Sequence, residues 1–211
     1  MILAELRKMG DDSVMYMHMQ HDDVGGNLLV MADHFGLEHN KDFLFPPPNV
    51  FSAHHGFPVA LLNKVYNASD ALLTTTMGEG WGLSVTEAMA TRVPVFAPDH
   101  TSLHEILANN RGILVPAGEN STNWIMKEMD NERLRPLMSV SGAARAILDY
   151  KQGKIKPDID AAQKWVQNLS WESITKQWMP IIDKAAGDAK AARAIAGVTV
   201  NRQQRRAMER K

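Results

Sequence analysis

The sequence predicts an α/β protein: a parallel sheet covered by helices on both faces, followed by a helical C-terminal extension. Three observations carry that prediction. Short apolar runs such as Ala71-Leu72-Leu73 and Val93–Ala97 alternate with helical periodicities from residue 13 to residue 115, at the interval of strand–helix–strand units. A glycine turn, Gly78-Glu79-Gly80-Trp81-Gly82, joins one of those strands directly to a helix. Beyond Pro116 the spacing of apolar residues becomes helical throughout.

Taken in order, Met1–Met9 reads as a short amphipathic helix and Ser13–Met19 as a strand, unusual in its methionines and histidine. His21-Asp22-Asp23-Val24-Gly25-Gly26 is a turn, and Asn27–Phe35 carries helical spacing at Leu28, Met31 and Ala32. Asp42–Phe45 is the next strand, stopped by three consecutive prolines, 46–48. Val59–Tyr66 reads as a helix, Asp70–Thr75 as the strand before the glycine turn, and Leu83–Thr91 as the helix after it. The strand Val93–Ala97, the helix Ser102–Ala108 and the strand Gly112–Val115 complete the alternation. Thr122–Met129, Glu132–Tyr150, Ile159–Asn168 and Trp171–Ala186 are all expected to be helices, with Trp124, Trp165, Trp171 and Trp178 as their packing residues. A domain of residues 1–183 is followed by a basic tail, 184–211, read as a solvated, frayed end.

Composition removes several function classes. There is no cysteine, so disulfides, thiolate metal sites and a cysteine nucleophile are excluded, and the chain suits a reducing cytoplasm. A net charge of −1 makes no general case for nucleic-acid binding. No apolar run approaches the roughly 20 residues of a membrane span. Eight histidines raise a metal site, but His18, His21, His54, His55, His100 and His104 lack the paired spacing of a zinc helix, so no metal is expected. His100 and His104 do fall at a strand end beside the expected cleft.

The glycine turn is the candidate site. A strand, a glycine turn and a helix aim unpaired backbone N–H groups at an anion. Gly78, Gly80 and Gly82 allow close approach of the backbone, and the amides around Trp81, Gly82 and Leu83 are placed for a diphosphate. Glu79 and Glu87 bracket the turn; phosphate repels a carboxylate, so both are assigned to hydroxyls, which sugars present in pairs. Leu83, Glu87 and Ala90 share one row of the helix, and Val85, Ala88 and Met89 share another suited to the core.

The run Glu79-Gly80-Trp81-Gly82-Leu83-Ser84-Val85-Thr86-Glu87-Ala88-Met89-Ala90 resembles "EGFGLxxxEAMA", the hallmark of retaining family 4 glycosyltransferases. Tyr66–Ala71, Arg92–Ala97 ("GTPVVAS"), His104-Glu105-Ile106 ("PEI"), Gly112–Pro116 ("GLLVP"), Leu37–Phe43 and Ser170-Trp171-Glu172 resemble that family's flanking segments, so the likeness covers about Leu3 to Ile182. The resemblance implies the Rossmann-like C-terminal half of a two-domain GT-B enzyme, with a nucleotide-diphosphate sugar as co-substrate, no further cofactor, and an acceptor that the sequence leaves open. It implies that Glu79 is catalytic and bonds the transferred sugar, that Glu87 holds the ribose, and that the Gly82 and Leu83 amides hold the diphosphate. Phe45 is expected beside the nucleobase. Trp81 stands where the family has Phe, so its ring either narrows the sugar pocket or packs.

The resemblance also implies a strand and an Arg–Lys turn ahead of the first helix, which this sequence does not match; Arg7-Lys8 falls inside that helix. In the order 3-2-1-4-5-6 that strand is central. Either a repacked sheet or a strand from another chain is then expected, and full activity would call for a separate acceptor-binding partner. The rival reading is a non-catalytic nucleotide-sugar-binding or regulatory module.

Overall fold

Apolar alternation along each strand decides which helix covers which face of the sheet. A computed structural model describes residues 1–23, 26–51, 56–128 and 130–208, without the side chains of residues 23 and 195–208. Strands β5 (Leu72–Leu73), β6 (Val95–Pro98) and β7 (Ile113–Val115) form a parallel sheet in the order β5-β6-β7. Leu72, Val95 and Ala97 face a core built with α4 (Leu83–Ala90), α5 (Thr101–Ile106) and α7 (Ile159–Gln167). Leu73 and Val115 face the opposite core, shared by α1 (Ile2–Lys8) and α6 (Val140–Lys151). On that side Phe96 meets Tyr150 edge-on at 5.7 Å. Two-residue periodicity thus yields a sheet with helices on both faces, as the α/β reading requires.

A second parallel sheet pairs β1 (Met15–Tyr16) with β4 (Phe43–Leu44). Between them run β2 (Asp22–Asp23), β3 (Gly26–Asn27) and α2 (Leu28–His34), whose N-cap Asn27 accepts from the Leu29 and Val30 amides. The helix α3 (Val59–Ala68) leads into β5. Among the described residues no ladder joins β1 to β5, and the break falls where the sequence reading locates the central strand. Side chains bridge it instead. Ile2 and Leu6 of α1 enter the core of β5–β7, and Leu3 enters the core of β1 and β4 with Ala32 and Phe43.

Beyond Pro116 the helical expectation is corrected. Residues 122–129 and the start of 132–150 contain an antiparallel hairpin, β8 (Trp124–Met126) and β9 (Leu134–Pro136), and the helix begins only at Val140. Two causes are local. Pro136 lacks the N–H that an interior helical turn uses and so disfavours helix there, and Asn131 and Glu132 take φ of +51° and +56°, the left-handed pair that reverses a hairpin. Trp124 folds over Gly118, and its indole N–H donates to the Gly118 carbonyl at 2.9 Å. Ser139 then caps α6 by accepting from the Gly142 amide.

The chain divides into two compact units, Met1–Val166 and Gln167–Lys211. In the second, α8 runs from Trp171 to Met208, so residues 184–208 of the segment read as a frayed tail are helical, in keeping with their alanine content. Trp171 and Trp178 are exposed rather than packed. No described helix is long and apolar enough to cross a membrane.

Helix α4 ends in a Schellman cap. The Val93 amide bonds the Ala88 carbonyl at 2.9 Å and the Arg92 amide bonds that of Met89 at 3.1 Å. Arg92 occupies the left-handed position at φ +67°, where the resembling segment carries glycine, and its guanidinium pairs with the exposed Asp160 at 2.6 Å. Arg92→Gly should be more stable than Arg92→Ala by about 1 kcal/mol, because both lose the ion pair and only glycine relieves the left-handed strain. Chemical denaturation of the two variants checks this, and equal stabilities would contradict it.

Asp11 is buried beside Lys151, whose ammonium lies 2.5 Å away. Burial pushes the Asp11 carboxyl up, but hydrogen bonds from Lys151 and Ser13 outweigh it and hold the group below the usual carboxylate range. Such a shift contributes stability that is complete above the unfolded pKa, about 3.9, and is lost as pH falls toward the lower folded value. Asp11→Asn should therefore lose less stability than wild type between pH 6 and pH 3. Parallel acid losses in urea unfolding would refute the assignment.

Candidate functional site

The turn after β5 is fixed from below by core packing and from the side by α5. Val85, Ala88 and Met89 are buried against Val95, Ala97, Leu103 and Ile106, which leaves Leu83, Glu87 and Ala90 on the exposed row. Gly82, at φ +94°, caps the helix in the left-handed region; a β-carbon there would lie 3.0 Å from Leu103 Cδ2. Glycine therefore meets both a torsional and a steric demand. Ser102 Oγ donates at about 3 Å to the carbonyls of both Glu79 and Trp81, and the Glu79 amide donates to Thr101 Oγ1. His100 Nε2 lies 3.0 Å from the Thr76 carbonyl, which can only accept, so Nε2 carries the proton and ties down the end of β5.

These bonds occupy the carbonyls of Glu79 and Trp81 and leave the amides of the turn. The N–H groups of Gly80, Trp81, Gly82, Leu83 and Ser84 have no hydrogen-bond partner among the described residues, whereas Val85 and Thr86 already bond the Gly82 carbonyl. Five successive donors at a helix N-terminus form a cradle for an anion.

Glu87 is exposed one turn into α4, and Tyr66 of α3 donates to its Oε2 at 2.8 Å. Burial and this carboxylate together push the Tyr66 phenol well above its ordinary pKa, so it stays protonated and remains a donor. His18, just beyond β1, is held below its ordinary pKa by burial, opposed by the charge of Glu87. Its ring lies 4.9 Å from both Phe51 and Phe57. An aromatic group thus stands within the field of Glu87, and the sequence reading did not assign it. Its signal in the sequence is the single histidine at the end of a methionine-rich strand.

The structure brings Gly78, Glu79, Gly80, Trp81, Gly82, Leu83 and Glu87 together on one turn and helix. Phe45 follows β4. Its ring contacts are Phe43, His21 and His39, and it packs half-buried against the core of β1 and β4. The Trp81 ring stacks on Trp165 at 6.1 Å and 15°, with the Arg111 guanidinium 4.6 Å from the Trp165 centroid. The Trp81 ring thus packs beside the turn, and its backbone amide is one of the unpartnered donors. His104 pairs with Asp99 at 2.5 Å. His54 and His55 lie outside the described residues, among which no group of three or more metal-ligating side chains is gathered.

Residues 48–143, a little under half of the chain, match the family model of glycosyl transferases group 1. No curated protein sequence is recognisably similar. Among solved structures, sucrose-phosphate synthase from Thermosynechococcus elongatus shares the fold with a TM-score of 0.59 at 16% identity, over 89% of this chain and 42% of that one. A glycosyltransferase from Rickettsia africae gives 0.58 at 16% identity, over 87% and 42%. The chain therefore spans well under half the length of either protein, and the shared fold is that of GT-B glycosyltransferases.

Glu87→Gln removes the charge that raises the His18 pKa, so the His18 midpoint should fall further. NMR titration of its ring protons reads this without any ligand. An unchanged midpoint would separate Glu87 from the aromatic group.

Proposed function

We propose that this chain is the donor-binding half of a retaining glycosyltransferase that uses a nucleotide-diphosphate sugar. The observation that carries the reading is the row of five unpartnered amides, Gly80–Ser84, between two exposed carboxylates on the turn. The match to glycosyl transferases group 1 includes the whole turn. The amides and the dipole of α4 take the diphosphate, where helix N-termini favour negative charge. Glu87, oriented by Tyr66, accepts from the ribose hydroxyls, and Glu79 accepts from the transferred sugar. Phe45 was the candidate for the base; the His18–Phe51–Phe57 group has the stronger claim because it lies in the field of Glu87.

Departure of the diphosphate builds an oxocarbenium-like sugar and a growing negative charge on the leaving group. Donors aimed at that charge lower the barrier, and loss of one costs roughly 3 kcal/mol. The acceptor, and the residues that bind it, belong to a partner domain or chain.

A binding module without turnover is the second reading, and one observation favours it. Arg7, the first-helix arginine, is spent on Asp42 and on the carbonyls of Asp11 and Ser13, and Lys8 pairs with Glu5. Neither serves the turn.

Calorimetric titration with UDP, GDP, ADP and their sugars, followed by assays of hydrolysis and transfer, separates the two. Glu87→Ala should weaken binding of the free nucleotide about tenfold or more, the value of hydrogen bonds to a charged acceptor. Glu79→Ala should weaken the nucleotide sugar and spare the nucleotide. No binding of any nucleotide would sink the site assignment, and equal losses for both ligands would sink the division of labour.

A further inference from the structure

Arg135 of the hairpin β8–β9 lies against the start of the glycine turn. Its Nε and Nη2 donate to the two oxygens of Asp130 at 2.6 and 2.8 Å, a forked pair that fixes the guanidinium plane. Both of those bonds stay within the hairpin. Nη1 makes no hydrogen bond among the described residues, yet it lies against the backbone at the start of the turn: an ideal β-carbon on Gly78 would sit 2.9 Å from it.

We infer that Arg135 is a ligand-binding residue, its Nη1 donating to the diphosphate seated on the amides of Gly80–Ser84; this rests on reading that turn as a diphosphate cradle. Three observations support it. First, the Arg135 side chain as a whole is 27% exposed, partly withdrawn from solvent, while the two N–H bonds of Nη1 remain unspent. Second, Gly78 leaves room for the guanidinium to lie beside the residue that precedes Glu79, and any side chain there would displace it. Third, the helix end supplies only about half an elementary charge, whereas a diphosphate carries more than one negative charge; a fixed cation provides the remainder through charge-assisted bonds. Arg92 lies beyond the opposite, C-terminal end of α4, and Arg111 is spent on the carbonyls of Ile106 and Glu105 and stacks on Trp165.

The test is a binding series on the full chain with nucleoside, nucleoside monophosphate and nucleoside diphosphate, comparing wild type with Arg135→Gln, Arg135→Lys and Gly78→Ala. Arg135→Gln should weaken the diphosphate at least tenfold, leave the nucleoside unchanged and reduce the salt dependence of diphosphate binding. Arg135→Lys keeps the charge without the fork and should fall between the two. Gly78→Ala leaves the hairpin's own bonds intact and should shift the diphosphate alone, which gives an independent answer if Arg135→Gln does not fold. If the wild-type chain binds nucleoside diphosphate no more tightly than Arg135→Gln and Gly78→Ala do, the diphosphate sits on the turn without Arg135, and the inference alone is overturned. Parallel losses for nucleoside and diphosphate would make Arg135 a structural clamp and overturn it too. A wild type that binds no nucleoside diphosphate overturns the cradle reading together with this one.

Discussion

Because the parallel ladder is broken between β1 and β5, no backbone hydrogen bond joins the two sheets among the described residues, and the seven residues of α1 hold them in one core. Leu3 points to β1 and β4, and Ile2 and Leu6 point to β5–β7 and α6. Burying each such side chain is worth about 1.5–3 kcal/mol, enough to replace several ladder bonds whose net value is nearer 1 kcal/mol apiece. The polar side of the same helix sets its direction. Arg7 bonds Asp42 at the foot of β4 and the carbonyls of Asp11 and Ser13, while Asp42 also accepts from the Glu38 amide and Asp11 pairs with Lys151 of α6. An arginine with three such anchors is a structural element, which accounts for its absence from the ligand cradle.

That core determines how rigid the turn is. The buried row of α4 and the left-handed Gly82 fix where the helix begins, and Thr101 and Ser102 fix the loop ahead of it. The turn is therefore ordered by bonds to its carbonyls and by the Glu79 amide, while the next five amides stay available. Donors arranged in this way cost little reorganisation when an anion arrives, the condition under which electrostatic stabilisation is most effective. Tyr66 does the same for Glu87 by holding a carboxylate that would otherwise sample several rotamers in solvent.

How far the sequence revealed this varies with how local the signal is. The alternation of Leu72 and Leu73, the two rows of α4 and the glycine turn follow from periods of 2 and 3.6 and were legible. The hairpin was not. Trp124–Met126 and Leu134–Arg135 match a helical spacing as well as a strand, and the turn between them uses Asn131 and Glu132 rather than the glycine that usually marks a left-handed pair. Arg135 was hidden for the same reason, since its position beside Gly78 exists only once the hairpin folds back. Phe45 shows the opposite limit. An aromatic residue at a strand end reads equally as a ligand platform or as core, and Phe45 packs half-buried against Phe43. Trp171 and Trp178 were read as buried from helical spacing alone, which gives a face but not what covers it.

The two halves of the site stand on opposite sides of the broken ladder. Glu79, Glu87, the free amides and Arg135 belong to elements that follow β5 in the chain, whereas His18 extends from β1. A ligand that touches Glu87 and the His18 group thus spans the same break as α1, and its binding energy adds to the cohesion of the two sheets. By mass action, such a ligand stabilises the folded domain in proportion to the logarithm of its concentration over its dissociation constant. Substrate recognition and fold stability are then linked through one structural feature: the helix that replaces the missing ladder also sets the distance between the residue proposed to hold the ribose and the aromatic group proposed to face the base.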